Sequence, residues 1–524
     1  MRNRAAAVLI LLLTACLLGT ACGAAPSNRP EVAIDYGPPP AGPGPDTEAG
    51  ALPELDVPQV EMGWQDCTTT VLGHYELQEE TPGLTLECAS FTVPADPSGQ
   101  VAEWLNIGLT RARMEGTSTG AAPLVLTTGT SQPSSRALAA MAASAGPILE
   151  ERPIVAIDRR GTGLSDRVSC FTRAIEEQQL DLGAGPGRDP VDAATTVGRD
   201  STLGCTDHID PMETLFSAAN AAADLEALRT HWGVDRLALA GIGDGATVAL
   251  AYASMFPGHL SRLILDSVPA MPGGTPTLPG SEAMTTAEQQ AQGAEAALTV
   301  LASHCLAIDC ALGPDLLSEL RALLSRAAEG QVWPLTPGAL VSTITGVLGD
   351  NAGTATERMD RLIGALEAAR NGSPAELVEL SFAVQAFTGD DGQFVGRCSD
   401  ITTRAVPENV REVLEQWNSD YPHVGETLAL RQLLCVAWPA LDPIELPSEI
   451  SAPVLLAEGA NDAWVGDGTA ADLRGPLQAG GAPTYLLRWQ GTGHGVVLHS
   501  ECGANIAAAM ITTGALPADN TCPA

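Results

Sequence analysis

Six short apolar runs, separated by helical stretches, constrain this chain more than any other feature. They lie at 124–128 (LVLTT), 154–158 (IVAID), 237–241 (LALAG), 263–266 (LILD), 454–457 (VLLA) and 485–489 (YLLRW). A strand with one wet face alternates apolar and polar residues. Short apolar runs without that alternation read as strands buried on both faces. Between them lie Ala-rich helical stretches such as 216–232. The pattern predicts an α/β fold with a mostly parallel sheet covered by helices on both sides.

The series is interrupted once. From 273 to 445 no strand pattern occurs: the segment follows Pro272 with Gly and Pro and then reads as helices at 283–302, 316–328, 354–370 and 374–386. After 446 strands return, with a helix near Ala470 and another from Ala504. One core, 61–272 and 446–524, is therefore expected to carry a helical lid at 273–445, inserted before its last strands.

Upstream of the core the chain changes character. Arg2 and Arg4 precede an apolar stretch at 5–13, too short to span a bilayer, as in an export signal over 1–22. Small residues precede both Cys16 and Cys22, as in a bacterial lipobox. Cys22 is the better placed for lipidation, since a flexible run follows it, and Cys16 is the alternative. A plain secretory signal is the third possibility. Residues 23–60 are rich in Pro, Gly and Ala and read as a linker, so the expected membrane contact is a lipid anchor.

Charge and cysteine content narrow the setting. The 524 residues carry a net charge of −36, and all 27 basic residues are Arg. A pI near 4.4 counts against nucleic acid as a partner. Beyond Cys16 and Cys22 ten cysteines remain, an even number that suggests disulfides in an exported chain. Taken as neighbours along the chain they pair Cys67 with Cys88, Cys170 with Cys205, Cys305 with Cys310, Cys398 with Cys435 and Cys502 with Cys522. Sequence alone leaves this connectivity open. No paired C-x-x-C occurs and the His do not cluster with Cys, so no metal site is expected.

The turn Gly241-Ile242-Gly243-Asp244-Gly245-Ala246 follows one apolar run and opens a helix. Gly241 and Gly245 stand where a G-x-S-x-G nucleophile elbow has its small residues, yet the middle position is Gly243, which has no hydroxyl. The same residues fit a G-x-G-x-x-G/A dinucleotide loop, with Asp266 placed as a ribose-binding acid, which would imply an oxidoreductase. A turn without chemistry is the third reading. Two later groups favour the elbow. Asp462 follows the strand at 454–457, and His494 follows the strand at 485–489. Elbow, then acid, then base is the α/β-hydrolase order.

With these motifs the chain resembles the tripeptidyl-aminopeptidase-like α/β-hydrolases exported by actinobacteria, including lipoprotein serine exopeptidases of the prolyl-aminopeptidase clan. The matching stretches are 64–67 (WQDC), 158–165 (DRRGTGLS), 223–241, 396–400 (GRCSD), 435–439 (CVAWP), 452–462, 491–495, 502–514 and 517–522. The resemblance implies an α/β-hydrolase fold, Asp462 as triad acid, His494 as base, and peptide hydrolysis from a free N-terminus without a cofactor. It also puts Gly243 at the nucleophile position.

Two departures stand out. The nucleophilic Ser is absent, and the family's Gly-rich oxyanion loop is replaced by 127–133 (TTGTSQP). An inactive or impaired homologue is therefore expected, binding a peptide or small molecule under the lid as a monomer. Asp244, one residue past the elbow centre, is the alternative nucleophile, as in relatives of this fold that attack with Asp. Ser165 and His499 are expected to be structural and the Trp residues to lie in the core. Asp390 and Asp391 are acidic lid candidates for a substrate ammonium.

Overall fold

The computed structural model describes residues 52–524 apart from 78–80, 119, 142–143, 186 and 271–280. The expected targeting segment, both lipidation candidates Cys16 and Cys22, and most of the linker lie outside these residues. The end of the expected linker belongs to the body. Pro53 O accepts from Arg262, Asp56 accepts from Arg236 N–H, and Gln59 N–H donates to Trp232 O. Pro and Gly upstream of residue 52 concealed this change, because the linker composition shades gradually into the packed segment.

Ten strands form one sheet among the described residues: β1 Gln65–Asp66, β2 Leu84–Pro94, β3 Trp104–Met114, β4 Leu124–Thr127, β5 Ile154–Ile157, β6 Leu237–Ile242, β7 Leu260–Asp266, β8 Val454–Asn461, β9 Thr484–Thr492 and β10 Asn520–Cys522. Their spatial order is β1-β2-β3-β5-β4-β6-β7-β8-β9-β10. From β5 to β10 all pairs are parallel, while β1, β2 and β3 pair antiparallel. This is the α/β-hydrolase fold, with one extra strand at each edge.

The lack of alternation has a direct cause. Along β6, Leu237 and Leu239 enter one core while Ala238, Ala240 and Ile242 enter the core on the opposite face. Along β4, Val125 faces the first core, and Leu124 and Leu126 face the second. Both faces are dry, so both need apolar residues. β2 and β3 carry more polar residues, with Trp104 at the edge 64% exposed, and this weaker signature hid them in the sequence.

Between β7 and β8 the regular elements among the described residues are all helices. They include the expected helices, seen as Ser281–Ala307, Leu316–Ala328, Ala355–Arg370 and Ala375–Thr388. They also include Pro337–Gly349, Asp391–Asp400, Pro407–Asp420 and Gly425–Arg431. The insertion has its own apolar core, built on Leu298, Leu340, Ile344, Leu362 and Leu377. A buried bidentate pair ties it to the sheet: Arg159, just past β5, donates to Asp400 at 2.6 and 2.8 Å. A second, Arg160 with Asp224 at 2.7 and 2.8 Å, is buried within the core. The DRRG stretch thus braces the fold.

Five disulfides, Cys67–Cys88, Cys170–Cys205, Cys305–Cys310, Cys398–Cys435 and Cys502–Cys522, join neighbours along the chain. They fit an extracytoplasmic protein. Among the described residues no helix is long and apolar enough to cross a membrane.

Candidate active site

Register assembles the site. Thr127 pairs with Gly241, Ile242 with Asp266, and Asp266 with Ala457, so β4, β6, β7 and β8 come level near their C-terminal ends. The order β5-β4-β6 makes a topological switch here, where α/β sheets open a crevice. Asn461 pairs with Thr492. Asp462 and His494 follow those two residues and therefore meet.

The turn after β6 has elbow geometry. Gly243 caps the helix Asp244–Met255 with φ 56° and ψ −129°. Glycine adopts this conformation without strain. Gly245 serves a close approach: a Cβ there would lie 2.8 Å from Thr128 Cα and nearer still to the Thr127 carbonyl. The turn therefore packs backbone to backbone against the end of β4.

Asp462 and His494 form a buried acid–base pair. His494 Nδ1 lies 3.0 Å from Asp462 Oδ2 and 3.2 Å from Oδ1. Asp462 Oδ1 also accepts the backbone N–H of Trp464 (2.9 Å) and of Val465 (3.3 Å). His494 N–H donates to Gly349 O at 3.1 Å, and the Trp464 ring lies 4.7 Å from the imidazole. Burial disfavours the imidazolium, but Asp462's charge and hydrogen bond, with Asp266 and Asp244 beyond, outweigh it and hold His494 above its ordinary pKa. Its Nε2 is buried and has no hydrogen-bond partner.

That orphan nitrogen points at the elbow. A Cβ built on Gly243 would collide with His494 Nε2 and would lie 2.5 Å from Ser131 Oγ. The two side chains occupy the space that a residue with a side chain would claim.

Ser131 belongs to the loop after β4. Its Oγ accepts the Asp244 N–H at 3.0 Å. In the hydrolase fold the N–H after the nucleophile helps form the oxyanion hole; the N–H at that position here is taken by a hydroxyl. Gln393, in the helix Asp391–Asp400, donates to Thr130 O (3.1 Å) and Ser131 O (3.3 Å). Thr130 Oγ1 donates to the Asp244 carboxylate, engaging the alternative nucleophile.

Other candidates stand elsewhere. Asp266 is fully buried, accepts N–H from Val496 (2.9 Å) and Val497 (2.8 Å), and is raised to about 6 by burial. It anchors the chain beyond His494 and cannot reach a ribose, which removes the acid required by the dinucleotide reading. Ser165 accepts from Gly108 N–H and donates to Asp158 O, a brace as expected. His499 stacks on Trp489, and burial pushes its pKa down to about 3, so it packs as a neutral ring.

The acidic lid candidates are corrected. Asp390 caps a helix and pairs with Arg167, while Asp391 accepts Cys170 and Phe171 N–H, so the fold consumes both carboxylates. The expectation for the Trp residues holds in part: Trp232, Trp417, Trp438 and Trp489 lie in the core, whereas Trp104 and Trp333 are 64% and 81% exposed and Trp464 contacts the site. Sequence reasoning missed Ser131, Gln393 and Trp464 as site residues. Trp464 lies two positions past Asp462, and Ser131 stands in the altered loop; no sequence signal marks Gln393.

Residues 421–522 match a family described as TAP-like protein, within the α/β-hydrolases. The chain is 29% identical over 121 residues to proteins named tripeptidyl aminopeptidase from Streptomyces lividans and Streptomyces coelicolor. Those stretches are 22% of this chain and 21% of each relative, so the match spans about a fifth of the curated relatives. Among solved structures, an esterase from Thermogutta terrifontis aligns at 13% identity and TM-score 0.36, covering 81% of this chain and 98% of that one. An α/β-hydrolase fold protein from Nakamurella multipartita aligns at 15% and 0.33, covering 82% and 100%.

Proposed function

We propose that this TAP-like α/β-hydrolase is an envelope protein descended from peptidases that act at free N-termini, with acyl transfer at the elbow lost. Its ligand is a peptide or small molecule held under the helical insertion. Its anchor is a lipidated Cys22, with Cys16 as the alternative, and it works as a monomer. One observation carries the reading: Gly243 keeps the elbow backbone beneath an oriented, partnerless His494 Nε2 but brings no hydroxyl to it.

The retained parts have definite roles. Asp462 fixes the ring and favours its charged form, and His494 Nε2 is the atom that would take a proton from a nucleophile. Without that nucleophile at the elbow the rate falls by about 10⁴ to 10⁶, as when a triad member is removed from a serine hydrolase.

The test is hydrolysis of tripeptide and aminoacyl chromogenic amides by the soluble domain and by its Gly243→Ser variant. Wild type is expected near background and the variant well above it. A restored hydroxyl should regain about 10- to 10⁴-fold, short of a full triad because a missing oxyanion donor costs about 10² to 10³. Wild-type turnover at ordinary enzymatic rates, about 1 s⁻¹ or more, would overturn the reading.

A further inference from the structure

We infer that Ser131 is the surviving nucleophile of this site: a hydroxyl on the loop after β4 that has taken the place vacated at Gly243. The inference rests on the reading above, that the elbow has lost its hydroxyl while the acid–base pair is kept. It adds a residual chemistry and the residue responsible for it.

Four observations converge. A Cβ on Gly243 would lie 2.5 Å from Ser131 Oγ and closer still to His494 Nε2, so these two atoms stand less than twice that distance apart. His494 Nε2 is the buried acceptor that lacks a partner. Ser131 Oγ accepts the Asp244 N–H, the donor that in this fold faces developing negative charge. Finally, Ser131 is partly exposed while Gly243, His494 and Asp462 are buried, so an incoming carbonyl meets Ser131 first.

The loop holds this arrangement. Ser131 N–H donates to Thr128 O at 3.2 Å, and Gln393 grips the Ser131 carbonyl from the helical insertion. A backbone fixed at both ends leaves only the side-chain rotor to adjust. A hydroxyl restricted in this way is partly positioned for attack before substrate arrives. Catalytic contacts are often long in the free protein and tighten when substrate binds.

The chemistry balances without a cofactor. Ser131 Oγ bonds to the carbonyl carbon of an ester or activated amide, and its proton passes to His494 Nε2. The tetrahedral oxyanion forms beside the Asp244 N–H. As the C–O or C–N bond to the leaving group breaks, that group takes the proton from His494 and departs, leaving Ser131 acylated. Water then gives a proton to His494 and attacks the acyl carbon; the acyl–Oγ bond breaks, the carboxylic acid departs, and the proton passes from His494 to Ser131 Oγ.

The test uses diisopropyl fluorophosphate on the full mature protein, with intact mass and peptide mapping as readouts. Attack forms an O–P bond, releases fluoride and passes the hydroxyl proton to His494. The expected result is one adduct, on Ser131, absent from Ser131→Ala and formed about a hundredfold more slowly in His494→Ala. Unmodified wild type beside a Gly243→Ser variant labelled at position 243 overturns the role of Ser131 and leaves the lost-elbow reading standing. An adduct on any other wild-type residue also overturns it. A wild type and a Gly243→Ser variant that are both folded and both unlabelled overturn the two readings together.

Discussion

The crowding at Gly243 predicts a measurable coupling between two positions. Gly243→Ser has two costs. A side-chain-bearing residue at φ 56° and ψ −129° carries backbone strain of about 1–3 kcal/mol. The new Cβ also overlaps His494 Nε2 and Ser131 Oγ, and overfilling a packed site costs a further ~1–3 kcal/mol. Only the second cost is relieved by deleting the Ser131 hydroxyl, and only in part, since the imidazole remains. By itself Ser131→Ala leaves the Asp244 N–H without its acceptor, a loss of about 1 kcal/mol. The double variant should therefore be more stable than the two single losses sum to, by about 0.5–3 kcal/mol. Urea unfolding of wild type, both single variants and the double variant, followed by circular dichroism, measures this term. Additivity within about 0.5 kcal/mol would mean that Ser131 does not occupy the elbow's space, and the reasoning about both residues would fail.

Three further outcomes are expected. In the Gly243→Ser background, Asp462→Asn should return kcat to near the wild-type background; hydrolysis should rise with pH as His494 loses its proton, with a midpoint above the ordinary imidazole value that moves down when Asp462 is neutralised, as a pH–rate profile would show. Asp400→Ala leaves Arg159 buried without its carboxylate and should cost about 3–5 kcal/mol in urea unfolding. Replacing Cys502 and Cys522 with Ser opens a loop of 20 residues and should cost about 3 kcal/mol by chain entropy, read in the same assay.

The parallel half of the sheet was legible because burial on both faces forces unbroken apolar runs. Val125 and Leu126 serve two different cores from adjacent positions, and no polar residue would do at either. The strands β1, β2, β3 and β10 were missed because they are short or carry more polar residues. Asp462 and His494 were legible from their places after strands, and β8–β9 register turns that placement into a contact. Ser131 was not legible as a site residue. Its position depends on how the loop folds across the elbow, and that depends on a grip by Gln393, 262 residues away. Asp390 and Asp391 misled for the complementary reason: a carboxylate's composition says nothing about which N–H or guanidinium will claim it.

The disulfides have a consequence for biogenesis. Their loops span 21, 35, 5, 37 and 20 residues, and none overlaps or encloses another. A chain threaded N-terminus first through a translocation channel presents each of these cysteines with its proper mate as the next one of the set to emerge. An oxidase that joins thiols in order of arrival makes the native set, and an isomerase has little to correct. The sheet obeys a different clock. β7 is hydrogen-bonded to β8 across the whole helical insertion, so it must wait for the C-terminal strands. The early crosslinks can therefore be in place while the sheet is still half built.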